Sequence, residues 1–330
     1  MRKLFCTVLF LSLLIFTACA AAAPKTASIL MPKDTDGDGG FIDSCISGAE
    51  YAKKRYHNKI NIKLYTLGQK GKSPAELVNE AAASELIISV TPEYNKHLAS
   101  LMKDSKNKII VTFDPTDAEG IKEISFRDDE GGFLAGVLAA LAVTTDNFPR
   151  VRKNGKIGLL LGAECESIEK FRTGYIAGSW YIDPKVEIIT EYVGNFTDTS
   201  KAAEIADSMH KKGADVIFTA AGGAGLGAIE TAEAKGFWII GVDTEQEKKY
   251  PKAVLTSIIK RSGSAIYKTI DNYMKGILQE TDDISLGLSE GGVDISTWSR
   301  ESKSNIPLAV RNKLDDVEDK LTKNLIIIKK

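Results

Sequence analysis

A two-lobed α/β chain built on parallel sheets is the fold class this sequence predicts, on three observations. Short apolar runs alternate with amphipathic stretches along nearly the whole chain, the pattern of repeated strand–helix–strand units. The stretch Gly213–Asp243 is one such unit in full: an apolar run Val216–Ala220, a turn with Gly222, Gly223, Gly225 and Gly227, a helical pattern with Leu226, Ile229 and Ala232 on one side, and a second run Phe237–Val242 ending in Asp243. About 310 residues follow the N-terminal leader, enough for two domains of ordinary size. In sheets of this kind ligands sit outside the carboxyl ends of the strands, where the glycine turn and Asp243 both fall.

The elements follow in order. Strands are predicted at Ser28–Met31, Ile60–Leu67, Leu86–Val90, Lys108–Phe113 and Ile124–Phe126. Helices are predicted between them at Ile42–Arg55, from Ser73-Pro74 through Ala83, where Pro suits the first helical position, and at Glu93–Asp104. A second set begins after Arg127, with a small-residue helix at Gly131–Val143. It continues with strand Lys156–Leu161, helix Ser167–Tyr181, strand Val186–Tyr192 and helix Ser200–Lys212, then the Gly213–Asp243 unit. Beyond it lie strand Ala253–Ile259, helix Ser262–Lys275, short strands Leu286–Leu288 and Val293–Ile295, helix Val310–Leu321 and a last strand Leu325–Ile328.

Met1–Ala20 reads as a targeting segment: Arg2 and Lys3 give a positive head, and the apolar run Leu4–Phe16 is short for a membrane span. Phe16-Thr17-Ala18-Cys19 is similar to a lipoprotein signal in which Cys19 is acylated; an ordinary signal peptide cleaved within Ala20–Ala23 is the alternative. Lys plus Arg number 43 and Asp plus Glu 44, a balance that leaves no footprint for nucleic acid. With Cys6 in the leader and Cys19 at its end, Cys45 and Cys165 are too few for a disulfide framework and read as isolated core or cleft residues.

Several motifs fail on spacing. The glycine turn has no GxGxxG frame, so it is either a plain strand-to-helix turn or a set of backbone N–H groups facing a polar ligand. Asp34, Asp36 and Asp38 start like a calcium loop, but the twelfth place is Cys45, which leaves an acidic loop facing a cleft. Gly71-Lys72-Ser73 lacks the first glycine of a phosphate loop. His57, His97 and His210 have no Cys or Asp at ligand spacing and read as surface residues, and no GxSxG or HExxH occurs, so an enzyme reading has no candidate nucleophile or base. No metal or cofactor is expected.

Six blocks in order carry a resemblance: FRDDEGGFLAG at Phe126–Gly136, FRTGYIAG at Phe171–Gly178, YVGNFTD at Tyr192–Asp198, AAGGAGLG at Ala220–Gly227, Gly241–Asp243, and LTSIIKR at Leu255–Arg261. Together they resemble the basic membrane protein family, lipid-anchored substrate-binding components of ABC transporters that include purine nucleoside receptors. The resemblance implies two Rossmann-like lobes in the type I periplasmic-binding arrangement, with crossings near Arg127, just after Asp243 and near Gly276. Residues 25–127 plus 244–276 would form one lobe and 128–243 plus 277–330 the other, after a signal peptide over 1–18. It implies a nucleoside in the cleft and ABC permease subunits as partners. The chain would be an exported monomer, held on the membrane by Cys19. Phe41 and Phe196 match aromatic positions that stack on the base. Asp243 and Lys260 would take the ribose diol, Gly222 and Gly223 would let backbone approach the sugar, and Asp114 would touch the base. The family's Asn after the early phenylalanine is Ile42 here, with Asp43 as a substitute that can only accept. A surface adhesin and a receptor for another small molecule are the competing classes.

Overall fold

The computed structural model describes residues 23–33, 37–105 and 107–328. The leader, Cys19, and Asp34 and Asp36 of the calcium-like loop lie outside the described residues.

The first sheet holds β1 (Lys25–Met31), β2 (Ile60–Thr66), β3 (Leu86–Ser89), β4 (Ile109–Thr112), β5 (Lys122–Phe126) and β11 (Ile284–Leu286), ordered β11-β5-β4-β3-β1-β2 and parallel throughout. The second holds β6 (Lys156–Leu161), β7 (Glu187–Tyr192), β8 (Val216–Ala220), β9 (Trp238–Asp243), β10 (Val254–Lys260) and β12 (Val293–Ile295), ordered β12-β10-β9-β8-β6-β7, with β12 antiparallel to β10. The central strands β8, β9 and β10 are buried at every residue, which is why they read as unbroken apolar runs; β2, at an edge, alternates instead.

The helices are α1 (Phe41–Tyr56), α2 (Pro74–Ala81), α3 (Asn95–Asp104), α4 (Asp128–Thr144), α5 (Glu166–Ile182), α6 (Thr199–Lys211), α7 (Gly225–Lys235), α8 (Ser262–Lys275), α9 (Arg300–Asn305) and α10 (Leu308–Thr322). Ser73 and Glu76 form a reciprocal capping box that starts α2 at Pro74. Four details differ from the sequence reading. The helix predicted from Glu93 is split, a 3-10 turn at Pro92–Tyr94 preceding α3, because Pro92 sets that turn. β11 lies two residues before its predicted place, since Gly287 ends it. α9 has no counterpart in the apolar pattern, being polar and capped by Ser299. Leu325–Ile328 is no strand: Asn324 turns left-handed (φ 55) and the segment finds no sheet edge to pair with.

The crossings also need correction. The first is at Arg127, between β5 of the first sheet and α4. The second follows Lys260 rather than Asp243: β10 pairs with β9 in the second sheet, and only then does the chain return so that α8 packs on α1. The third lies between β11 and β12, past Gly276. The three run side by side. The Arg127 N–H donates to Leu286 O at 2.9 Å and the Arg261 N–H to Gly292 O at 2.9 Å. The Arg127 guanidinium reaches Glu130 (2.8 Å) and Glu290 (2.5 Å), and that of Arg261 reaches Asp294 (2.5 Å).

Two parallel helix pairs aim their N-termini at the space between the lobes. In α4 and α5, Gly132, Gly136, Gly174 and Gly178 each sit against the partner's backbone, facing the carbonyl oxygens of Phe171, Tyr175, Asp129 and Phe133; a Cβ on any of them would overlap that oxygen. In α1 and α8, Gly48 sits on the Gly263 carbonyl and Gly263 on that of Ser44. One turn on, the tyrosines Tyr51 and Tyr267 fill the gap edge-to-face, 4.8 Å between centroids.

Candidate functional site

The site gathers at the carboxyl ends of the strands. The loop after β1 is ordered by its own acids. Asp38 accepts from the N–H groups of Gly40 (2.8 Å), Ile42 (3.1 Å) and Asp43 (3.2 Å), capping α1 from outside. Asp43 accepts from Gly37 (2.9 Å) and Gly39 (2.8 Å). Both Asp43 oxygens thus serve the loop, not the cleft. Ile42 is 2% exposed and belongs to the core, so its side chain lies away from any base edge.

Phe41, the first residue of α1, is half-buried, its ring edge-on to Phe113 at 6.5 Å. Phe196, in the loop after β7, lies over Gly162 and Gly222, where a Cβ on Gly162 would strike its ring. Gly222 has φ +54, a conformation that suits glycine. The Gly222–Ala224 turn is thereby occupied by Phe196 on one side: the Ala224 N–H donates to Phe196 O at 2.9 Å. Gly223 faces Asp38 of the other lobe, its would-be Cβ 3.4 Å from the Asp38 Cβ. The two phenylalanines are therefore linked by one chain of contacts, through Gly222, Gly223 and Asp38.

Asp243 ends β9 in the left-handed region (φ 70), a rare conformation for a side-chain-bearing residue. It turns the carboxylate towards the other lobe, where it accepts from the Phe41 N–H. Burial pushes its acid up to about 7, against the opposing pull of Lys260, while Asp38 and Asp128 push further up. Its neighbour Thr244 donates to Gly39 O at 2.6 Å, a second contact across the gap. Asp114, after β4, is half-buried; burial raises its acid to about 6, with Lys260 opposing.

Lys260 ends β10 and is 7% exposed. Its ammonium lies 5.2 Å from the Phe41 ring centroid, 4.8 Å from Phe126 and 5.9 Å from Phe171. Its ion pair is with Asp128 (2.9 Å), and Ser167 accepts a further bond at 2.9 Å. Ser167 in turn donates to Asp128 at 2.6 Å. Burial works to lower the Lys260 ammonium's pKa, but Asp128 and then Asp243 and Asp114 outweigh it and raise it.

The structure thus gathers Phe41, Asp114, Asp243 and Lys260 around one ammonium, with Phe196, Gly222 and Gly223 joined to them through Asp38. Asp128 and Ser167 escaped the sequence reading, although Asp128 stands inside the FRDDEGG block; Asp38 was legible only as part of an acidic loop. Among the described residues no group of three or more His, Cys, Asp or Glu side chains could hold a metal. Cys45 is buried and Cys165 half-buried, both free thiols. His210, read as a surface residue, instead stacks on Phe237 at 4.6 Å beside the Arg152–Asp215 pair.

Two parallel-sheet lobes joined by three crossings, with charged and aromatic groups at the strand ends between them, define a type I periplasmic binding protein. Solved structures agree on that fold. An ABC transporter solute-binding protein from Aeropyrum pernix K1 matches with TM-score 0.80 and 22% identity, over 93% of this chain and 94% of the other. A carbohydrate transporter solute-binding protein from Agrobacterium radiobacter, in complex with D-arabinose, matches with TM-score 0.64 and 16% identity, over 89% and 99%. The family described as ABC transporter substrate-binding protein PnrA-like, or Bmp, matches residues 25–330, and the chain belongs to it. Basic membrane protein A of Borreliella burgdorferi is 31% identical over 343 residues, covering 99% of this chain and 96% of that one. Basic membrane protein A of Borreliella afzelii is 29% identical over 313 residues, 92% and 91% of the two chains. The chain is accordingly an extracytoplasmic substrate-binding component, a receptor and not an enzyme, whose class serves permease partners. Among the described residues no helix is long and apolar enough to cross a membrane.

Proposed function

We propose that this receptor binds a purine nucleoside between its lobes and delivers it to an ABC permease, held at the membrane through Cys19. The observation that carries the reading is the convergence of Asp243 and Lys260, from adjacent strand ends, with the Phe41 ring 5.2 Å from the ammonium. A carboxylate and an ammonium side by side suit a vicinal diol, one accepting and one donating. Flat aromatic faces suit a base, each stack contributing ~1–3 kcal/mol. Asp114, an acceptor at the end of β4, suits an N–H edge of that base. Gly162 gives the Phe196 ring room to lie, while Gly222 and Gly223 keep the turn beside it free of side chains so that its backbone can approach the sugar.

Thermal unfolding with adenosine, guanosine, inosine, uridine and free pentoses tests this. A nucleoside at a hundred times its Kd adds ~2.7 kcal/mol of stability. Phe196→Ala should cost ~1–3 kcal/mol of that binding energy. A shift with pentoses alone would assign a free sugar, and no shift with any nucleoside overturns the reading.

A further inference from the structure

The geometry points to Asp128, with Ser167, as the positioning residue for the cleft's ammonium: it holds Lys260 apart from Asp243 so that both stay available to a ligand. Three acids, Asp128, Asp243 and Asp114, act on the Lys260 ammonium, and Asp38 acts on Asp243. Left to choose, an ammonium with Asp243 nearby would pair with it and spend both groups on each other. Here the 2.9 Å ion pair is with Asp128 instead.

The arrangement is directional. Asp128 opens α4 and Ser167 lies in the first turn of α5, so both come from the second lobe's helix pair, as Lys260 comes from its sheet. Two of the three ammonium protons are committed, to Asp128 Oδ2 and Ser167 Oγ, and one is left. The Ser167 hydroxyl donates to the same Asp128 oxygen, which fixes the hydroxyl's lone pairs towards the lysine. Asp128 is 1% exposed, and its Oδ1 is buried without a hydrogen-bond partner. A carboxylate left half-satisfied in the interior is a poor way to fill space. Its charge is what the site uses: it neutralises Lys260 in advance and leaves Asp243 to its own partners. Those facing Asp243 are the Phe41 N–H from α1, Asp38 from the loop before it, Lys260 from β10 and Asp128 from α4.

The naming of the ligand rests on the nucleoside reading; the charge partition does not. The test therefore has two arms. In ligand-free protein, carboxyl 13C NMR follows Asp243, assigned with Asp243→Asn. Loss of the Asp128 charge by itself lowers the Asp243 titration, so Asp128→Asn is compared in the wild-type and Lys260→Met backgrounds; with the lysine present the freed ammonium turns to Asp243, whose carboxyl then titrates about one pH unit lower, or more, than that charge loss alone gives. In the second arm, nucleoside affinity is measured against pH. Asp128→Asn weakens it about tenfold or more, although it alters neither group assigned to the diol, and moves its acid limb down with Asp243. Ser167→Ala, the milder variant should Asp128→Asn not fold, does the same about threefold; Asp128→Glu restores part of the affinity. If Asp243 shifts no further with Lys260 present than with Lys260→Met, the assignment is overturned, even where affinity falls. If the wild type binds no nucleoside, the nucleoside reading fails and the carboxyl titration alone decides this one.

Discussion

The two helix pairs that face the cleft solve one problem in different ways. α4 and α5 touch backbone to backbone over two turns, through Gly132 and Gly136 on one helix and Gly174 and Gly178 on the other. α1 and α8 touch so over one turn, Gly48 on the Gly263 carbonyl and Gly263 on that of Ser44, and beyond it tyrosines keep the axes apart. Ser44 and Ser262 tighten that single contact, with the Gly263 N–H donating to Ser44 Oγ at 3.0 Å and Ser262 Oγ to Phe41 O at 3.1 Å. The ladder fixes register along α4 and α5, and its first rung, Gly174 on the Asp129 carbonyl, adjoins Asp128. The single contact fixes a point about which α1 and α8 diverge. Groups that must meet within hydrogen-bond distance, Asp128 and Ser167, are carried by the ladder. Phe41, whose ring meets Phe113 at 6.5 Å and the Lys260 ammonium at 5.2 Å, is carried by the point.

The strongest way to break this contrast is Gly178→Ala. The added methyl meets the Phe133 carbonyl, which cannot yield without parting the helices, and the expected loss is about 3 kcal/mol, read by denaturant unfolding. A loss below 1 kcal/mol would show that the ladder is loose. Gly48→Ala should cost less, about 2 kcal/mol, because α1 can tilt about its one contact, and hydrogen exchange should locate the damage in α1 and α8. Equal losses at both sites would erase the distinction. The smallest effect concerns the outer end of α1, which Asp243 reaches from the other lobe. Burial raises that acid from 3.8 to about 7, so the native fold holds its proton more tightly than the unfolded chain does. The stability tied to the neutral form is complete below the lower value and is lost as pH rises through the upper one. Asp243→Asn keeps an acceptor for the Phe41 N–H without the charge. It should melt a few degrees above the wild type near pH 8, with the gap closing towards pH 4. A gap that ignores pH would refute the buried-acid account.

Most of the fold was legible because parallel strands buried on both faces announce themselves as apolar runs, as in Val216–Ala220 and Trp238–Asp243. The route between the lobes was not. Nothing in the composition of Val254–Lys260 says which sheet it joins, since either would bury it equally well; the placement follows from pairing with β9. The final segment misled because Leu325–Ile328 has strand residues but no edge to use. At the site, Asp114, Asp243 and Lys260 stood out by strand-end position taken together with the family resemblance. Asp43 could not be judged, since its oxygens are taken by backbone N–H groups that only a folded loop brings near. Asp128 stayed hidden because its partner is 132 residues away, and a charge opening a helix ordinarily belongs to solvent.

The arginines at the crossings bear on how wide the mouth can swing. Arg127 and Arg261 each follow a strand end directly, and each grips an acid on the third connection or just beyond it, Glu290 and Asp294. A rotation of one half against the other would work against the partly exposed Arg127–Glu290 pair, which joins two of the connections, so the resting gape would become sensitive to ionic strength. Brackish surroundings would slacken the jaw and dilute ones would stiffen it, with no change to the residues that meet the cargo.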